Sequence, residues 1–351
     1  MANRKVTIIV LTYNSSKYLD ECFGTLKKIN QGDLAVEIVA VDNASSDGTV
    51  EQIRRRWPGI RVVETGSNLG FAGGNNIAMR AAIESGSDYV YLLNHDTEVQ
   101  TDFLLEAVRI METSVDIGAV QSLLLLHPEK ELVNSAGNAI HFLGFGYCRS
   151  YRLPVEKISR TDWPDIAYAS GAGVLLRSSA LRQVGLFDER LFMYHEDLDL
   201  GWRLRLAGYR SVLAPKSVVW HKYEFSRSIG KYYFMERNRY IVLFKNLKLW
   251  SLIVLAPSLI MSEFFLSLAA VRGGWWSKKF RALMYFLSPS AWRHIILERE
   301  RVAGFRKIGD REAMKLFTYE IRDQEGISLF TLWVANPLMN IVWRTIRRFI
   351  V

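Results

Sequence analysis

The chain is 351 residues long, 49% hydrophobic and 23% charged, which is ordinary for a globular protein with room for one large core or one core plus an appendage. Its two cysteines, Cys22 and Cys148, have no partner at metal-ligand spacing, which argues against a disulfide framework and a structural zinc site. The net charge of +9 is unevenly placed: residues 1–221 carry 23 Lys/Arg and 26 Asp/Glu, whereas residues 222–351 carry 22 and 10 together with six of the ten tryptophans.

In chain order, Val6 to Leu11 is a short β-branched run of the kind that forms a buried parallel strand. It starts so early that it leaves no room for a signal peptide, and a cytoplasmic chain is expected. Ser15 or Ser16 is positioned to cap a helix carrying Leu19, Cys22, Phe23, Leu26 and Ile29 on one face. A second strand runs from Glu37 to Val41 and ends at Asp42; a helix follows with Val50, Ile53 and Trp57 on one side, closed by Pro58. Further strands are expected at 60–64 and Tyr89–Leu93, with a helix near 74–84 between them. Strands alternating with helices imply a doubly wound α/β sheet, whose ligands sit at the carboxyl ends of the strands. Asp42 and Asp96 both fall at such ends.

Beyond residue 100 the pattern predicts a helix over 102–113, a strand near 118–124, and an irregular polar stretch to about 165. A strand follows at Ser170–Leu176, entered through Gly171 and Gly173. A helix fits Glu196–Ala207, with Gly208 at the usual left-handed cap, and two short strands, 212–213 and 218–220, lead to His221. Residues 250–271 are long enough to span a bilayer, although Glu263 near mid-span costs roughly 2.5–3.5 kcal/mol there. Residues 327–343 form a shorter apolar run before Arg344, Arg347 and Arg348. Basic residues interleaved with tryptophan suit an anionic membrane face or nucleic acid, and the long apolar runs favour the membrane.

Two acidic segments carry the chemistry. Asn94-His95-Asp96 ends an apolar strand in a carboxylate that either holds a metal or a diphosphate or is simply a buried turn Asp. Glu196-Asp197-Leu198-Asp199 clusters three carboxylates at a helix start, where the helix dipole lowers their pKa and keeps a base ionised. A nucleic-acid binder would explain the positive tail but not these carboxylates. Asp42, beside Asn43, Ser45 and Ser46, suits a polar ligand edge or a helix cap. Asn68 to Asn76 is a glycine- and asparagine-rich turn; its backbone N–H groups would either approach a phosphate or sugar or simply close a tight turn. It is not a dinucleotide fingerprint, because Val10 to Ser16 contains no glycine.

Taken in order, Val10-Leu11-Thr12-Tyr13-Asn14, Val41 to Thr49, Asn68 to Asn76 and Asn94-His95-Asp96 resemble family 2 glycosyltransferases, which are inverting enzymes of the GT-A fold. The likeness extends over residues 5 to about 245 and is nearest the bacterial rhamnosyltransferase-like branch. It implies a GT-A catalytic domain over 1–245 and a basic, Trp-rich helical region over 246–351 for membrane association or oligomerisation. It implies a nucleotide sugar held by Thr12, Tyr13, Asn14, Asp42, Asn68, Gly70, Gly74, Asn75, Asn94 and Asp96. The cofactor it implies is Mg²⁺ or Mn²⁺ at Asp96, completed by His221, with Asn94 supporting Asp96 in place of the family's first Asp. The base would be Asp197, with Glu196 second and Asp199 a further alternative, the others capping or pairing with Arg203 and Arg205. Arg227, Arg237 and Asn238 would meet the diphosphate or stand as solvated residues on a helix. The donor so implied is dTDP-rhamnose, or another dTDP- or UDP-sugar, and the acceptor a polyprenyl-linked glycan at the cytoplasmic membrane face, in cell-surface polysaccharide or O-antigen synthesis. Nucleic acid is not an expected partner.

Overall fold

The computed structural model describes residues 3–222, 231–322, 324, 327 and 329–351. The first half alternates as β1 (Lys5–Thr12), α1 (Leu19–Leu26), β2 (Ala35–Asp42), α2 (Thr49–Arg56), β3 (Arg61–Glu64), α3 (Gly70–Glu84) and β4 (Tyr89–Asn94). The second half adds β5 (Thr97–Val99), α4 (Phe103–Met111), β6 (Ile117–Leu126), β7 (Val133–Ser135), β8 (Asn138–Ile140), β9 (Gly146–Cys148), β10 (Asp165–Ile166), β11 (Gly173–Arg177), α5 (Ser178–Val184), α6 (Glu196–Leu206) and β12 (Arg210–His221). One sheet runs in the order β10-β12-β6-β11-β4-β1-β2-β3, with β5 on β12 and β7 on β6. Strand β1 is parallel to β2 and β4, whereas β11 is antiparallel to both β4 and β6. This is the expected doubly wound mixed sheet. Its central strands are buried on both faces, which explains why β1, β4 and β6 read as continuous apolar runs.

One core packs α1 and α4 on one face of the sheet, and a second packs α3, α5 and α6 on the other. A third joins α6 to the C-terminal helices α7 (Lys231–Asn246), α8 (Leu249–Arg272), α10 (Pro289–Phe305), α11 (Asp310–Ala313) and α12 (Asn336–Ile346), while α9 (Trp276–Met284) packs against α7 and α8. The expected boundary at 245/246 falls at the end of α7, and helices α8, α10, α11 and α12 beyond it share this third core with Leu198, Trp202 and Leu206 of α6.

Several local expectations are corrected. Neither Ser15 nor Ser16 caps α1: its first helical residue follows Tyr18, and Ser15 Oγ instead accepts the Tyr13 amide at 2.9 Å. The stretch expected to be irregular and polar holds β7, β8 and β9, and Val133 to Gly144 is almost wholly buried. Three-residue strands are too short for alternation to reveal them. The two strands expected at 212–213 and 218–220 are one, with a bulge between Ala214 and Val218.

Helix α8 meets the test of length and composition for a membrane span, yet its mid-span carboxylate is tied to the protein. Glu263 bonds Lys279 Nζ (2.6 Å), Tyr240 Oη (2.6 Å) and Arg239 Nη2 (3.1 Å). Other residues of this helix, Ile260, Met261, Phe264 and Phe265, are more than half exposed. Helix α8 thus turns its ionic group inward and leaves an apolar face uncovered among the described residues.

Candidate active site

Adjacent parallel strands bring Thr12, Asp42 and Asn94 to one edge, since Thr12 pairs with Asp42 across β1–β2 and Leu11 with Asn94 across β1–β4. Asp42 is buried, and its carboxylate accepts from Thr12 Oγ1 (2.9 Å), Ser45 Oγ (2.6 Å) and the Ser45 amide (2.8 Å). Asn14, at φ +50°, accepts the Ser46 amide at 2.9 Å, which knits the first loop to the second; Tyr13 beside it is 47% exposed. Asn43 then latches the third loop, accepting from the Leu69 amide and donating to Asn68 Oδ1 and Gly70 O, each at 2.9–3.0 Å.

The amides expected to be open in this third loop are already engaged. Gly70 N donates to Asn68 Oδ1 (2.9 Å), Leu69 N to Asn43, and Ala72 N to Phe192 O (3.0 Å). Gly70 sits at φ +71°, and a Cβ there would lie 2.4 Å from Phe192 O. Gly74 is equally constrained, because a Cβ would lie 2.5 Å from Leu11 Cδ1. Asn75 is buried in α3, donating to Phe71 O. These glycines are needed for close approach between the loop, β1 and the segment before α6.

The first acidic segment meets His221 because β5 pairs β12 with Thr97 opposite His221. Asp96 Oδ1 lies 3.4 Å from His221 Nε2, is shielded from solvent, and has no hydrogen-bond donor among the described residues. Burial pushes this carboxyl up, but His221, and to a lesser extent His95, outweigh that and hold it down at about 2. On its other side His221 Nδ1 meets Asn134 Oδ1 at 3.0 Å, so Nδ1–H donates there and, in the neutral ring that a cation would require, Nε2 on the side of Asp96 is the nitrogen left to ligate. Asn94 Nδ2 contacts His221 Nε2 at 3.3 Å, so Asn94 supports the imidazole rather than Asp96. A buried, undonated carboxylate oxygen beside an imidazole nitrogen fits a divalent cation of the Mg²⁺ or Mn²⁺ class. Among the described residues no group of three His, Cys, Asp or Glu side chains surrounds it, so such a cation would draw its other ligands from outside these side chains.

The second acidic segment follows a run of left-handed residues, Phe192, Tyr194 and His195, at φ +64° to +69°. Asn238 holds this strained run by donating to Leu191 O (2.8 Å), Met193 O (2.9 Å) and Tyr194 O (2.7 Å), and Arg237 Nη2 donates to Arg190 O and Leu191 O. Arg237 and Asn238, expected at a diphosphate or in solvent, are therefore buried props of this loop; Arg227 lies outside the described residues.

The three carboxylates of α6 divide sharply. Asp199 is fully buried, bonded to Arg203 Nε (2.8 Å) and Asn246 Nδ2 (2.8 Å), with Lys245 Nζ at 3.0 Å. Burial raises its pKa, but Arg203 and Lys245 more than offset this, so Asp199 is a structural ion-pair centre. It is not a base. Arg205, expected near this cluster, pairs with Glu312 instead. Burial and the charge of Asp197 push Glu196 well above the carboxylate range, and its Oε2 has no partner among the described residues. Asp197 is raised by burial to about 6, against the depression expected from the helix start. Within this desolvated pair Asp197 is the better held as an anion, because its carboxylate accepts two backbone amides whereas Glu196 Oε2 has no partner among the described residues.

Asp197 Oδ2 accepts the Gly171 amide at 3.3 Å and Oδ1 the Leu198 amide at 2.7 Å. The next residue, Ala172, accepts the Asn94 amide at 3.2 Å. Two acidic segments a hundred residues apart are thus anchored on consecutive residues of one strand entrance. Asn134 and Gly171 complete this geometry. Nothing in the sequence distinguished Asn134, and Gly171 was visible only as a strand entrance.

The glycosyl transferase family 2 pattern matches residues 7–185. The chain belongs to that family. The glycosyltransferase is 29% identical over 238 residues to an N-acetylglucosaminyl-diphospho-decaprenol L-rhamnosyltransferase of Mycobacterium tuberculosis, covering 61% of this chain and 75% of the relative. It is 27% identical over 219 residues to rhamnosyltransferase WbbL of Escherichia coli K12, covering 60% and 80%. The rhamnosyltransferase-like resemblance is therefore borne out. Among solved structures, GalNAc-T7 with UDP, GalNAc and Mn²⁺ superposes with a TM-score of 0.57 at 15% identity, over 70% of this chain and 48% of that one. A mannosyltransferase of Pyrobaculum calidifontis with GDP-Man and Mn²⁺ gives 0.50 at 17% identity, over 99% and 85%. These two establish the GT-A architecture and nothing finer.

Proposed function

We propose that this glycosyltransferase moves a sugar, with inversion, from a nucleotide donor to a hydroxyl of a lipid-linked glycan at the cytoplasmic membrane face. The supporting observation is the anchoring of the Asn94–Asp96 turn and Asp197 on Ala172 and Gly171. Thr12, Tyr13 and Asp42 line the nucleotide edge; Asp42 retains acceptor capacity beyond the bonds it receives from Thr12 and Ser45. Asp96 and His221 would hold Mg²⁺ or Mn²⁺, which when bound neutralises charge on the departing diphosphate. Asp197 takes the proton of the acceptor hydroxyl as that oxygen attacks the anomeric carbon from the face opposite the leaving group. Neutral Glu196 beside it keeps the pair from carrying two charges.

Rhamnose from dTDP-rhamnose is the favoured donor, supported by the names of the two bacterial relatives; a hexose from a UDP-sugar is the alternative. The exposed apolar face of α8 would rest on the bilayer, with self-association as the competing use of that face. A thermal-shift panel of nucleotide sugars with Mg²⁺ or Mn²⁺ tests the reading, because a ligand bound only by the native state raises the melting point. The expected result is metal-dependent stabilisation by a dTDP- or UDP-sugar. No shift from any nucleotide sugar, with or without metal, would refute it.

A further inference from the structure

A cavity of about 1050 Å³ lies between β9, the segment after α10, and α12. Among the described residues its lining carries seven basic side chains and one carboxylate, Glu320. Arg149 stands just past β9, Arg311 and Lys315 lie on or after α11, and Arg344, Arg347 and Arg348 belong to α12 and its end. Arg322 pairs with Glu320 at 2.8 Å and Lys315 with Glu312 at 2.5 Å. Among the described residues the five arginines 149, 311, 344, 347 and 348 have no carboxylate partner. Like charges gathered round one concavity without counter-ions repel, and a multivalent anion relieves that repulsion. Guanidinium groups favour phosphate in particular, through paired parallel hydrogen bonds.

Two features decide what kind of phosphate. Helix α12 turns Asn340, Trp343, Arg344 and Arg347 to the cavity, at helical spacing, while Leu338 and Ile341 on another face are 58% and 66% exposed. Trp333 and Phe349 on either side of this stretch are also largely exposed. Cations next to an outward apolar face suit a phosphate carried on a hydrocarbon chain at a bilayer. The second feature is the position of β9 beside α6. Tyr147 and Arg149 line the cavity, while Gly146 lies against the residue after Asp197, where an added Cβ would be 2.7 Å from Leu198 Cδ1. Strand β9 is thus shared between the cavity wall and the packing against α6.

We propose that this cavity binds the diphosphate of the lipid-linked acceptor. The inference rests on the proposed lipid-linked transfer and names the part of the chain that recognises its acceptor. Farnesyl diphosphate, a short prenyl diphosphate, serves as probe, with inorganic pyrophosphate and phosphatidylglycerol vesicles as comparison arms. Calorimetry without divalent metal keeps the nucleotide site from contributing. Full-length protein is expected to bind farnesyl diphosphate more tightly than pyrophosphate. The triple variant Arg149→Gln/Arg344→Gln/Arg347→Gln, whose sites are all exposed, is expected to bind the prenyl diphosphate about tenfold more weakly or worse. Mn²⁺-dependent nucleotide binding should be the same in both proteins and confirms that the variant is folded. Undiminished farnesyl diphosphate affinity in the variant would overturn the proposal. So would equal affinity for pyrophosphate, which would mark a free-phosphate site, or a loss confined to vesicle binding, which would mark a general surface anchor. Failure of the nucleotide arm in the unaltered protein would count instead against the sugar-transfer reading, since the prenyl diphosphate arm uses neither donor nor metal.

Discussion

Replacing Asp197 with asparagine should separate stability from activity, and both effects follow from its surroundings. Burial raises this carboxyl from 3.8 to about 6. An acid whose folded pKa is raised binds its proton more tightly in the native state. Its protonated form therefore favours folding below pH 3.8, and that contribution is lost as pH rises through about 6. Above pH 7 the ionised side chain costs about 3 kcal/mol of stability relative to an unshifted carboxyl. Asparagine removes the charge but accepts only at its single oxygen, so one of the Leu198 and Gly171 amides loses its acceptor, at about 1 kcal/mol. The net expectation is a variant about 2 kcal/mol more stable than wild type at pH 8, with the gain vanishing near pH 4. Urea unfolding across that range measures it. Transfer should fall by about 10²–10⁴-fold with donor affinity retained, and the wild-type rate should decline below about pH 6. A stability difference independent of pH, or a variant less stable at pH 8, would refute the desolvation argument; retained turnover would remove Asp197 as base.

Other expectations follow from the same contacts. Asp96→Asn or His221→Ala should weaken metal-dependent nucleotide binding at least about tenfold, while binding measured with chelator present stays the same in variant and wild type; calorimetry with Mn²⁺ decides. Asn238→Ala leaves three carbonyls of the left-handed run without their shared donor, and a loss of about 2–4 kcal/mol is expected by chemical denaturation, with lower kcat in the surviving folded protein. Gly70→Ala forces a Cβ against Phe192 O at a positive φ, and should destabilise by about 1–3 kcal/mol in the same assay. Ile260→Glu/Phe264→Glu alters only exposed positions of α8 and should weaken co-sedimentation with anionic vesicles about a hundredfold, leaving the melting point unchanged. Unaltered co-sedimentation would assign that face to self-contact.

How much was legible depended on periodicity and burial. Strands β1, β2 and β4 could be read because central parallel strands are continuously apolar and end abruptly at Thr12, Asp42 and Asn94. Strands β7 to β9 could not, being three residues each, and the antiparallel insertion of β11 between β4 and β6 leaves no local trace. Asp96 and His221 were found through motif order, but Asn134, which orients the imidazole, sits in a short strand with no pattern of its own. Arg237 and Asn238 looked like solvated polar residues because burial of a polar side chain depends on what packs over it, here the strained run before α6. Likewise nothing local to Glu196-Asp197-Leu198-Asp199 tells a base from an ion-pair centre. Lys245 and Asn246, which saturate Asp199, lie almost fifty residues away.

The most direct measurement is a crystal structure with Mn²⁺ and the nucleotide sugar selected by thermal shift, the metal located by anomalous scattering. The account predicts Mn²⁺ on Asp96 and His221, with the anomeric carbon turned toward Asp197 and room between them for one attacking hydroxyl. A metal bound elsewhere, or a sugar directed away from that carboxylate, would contradict it.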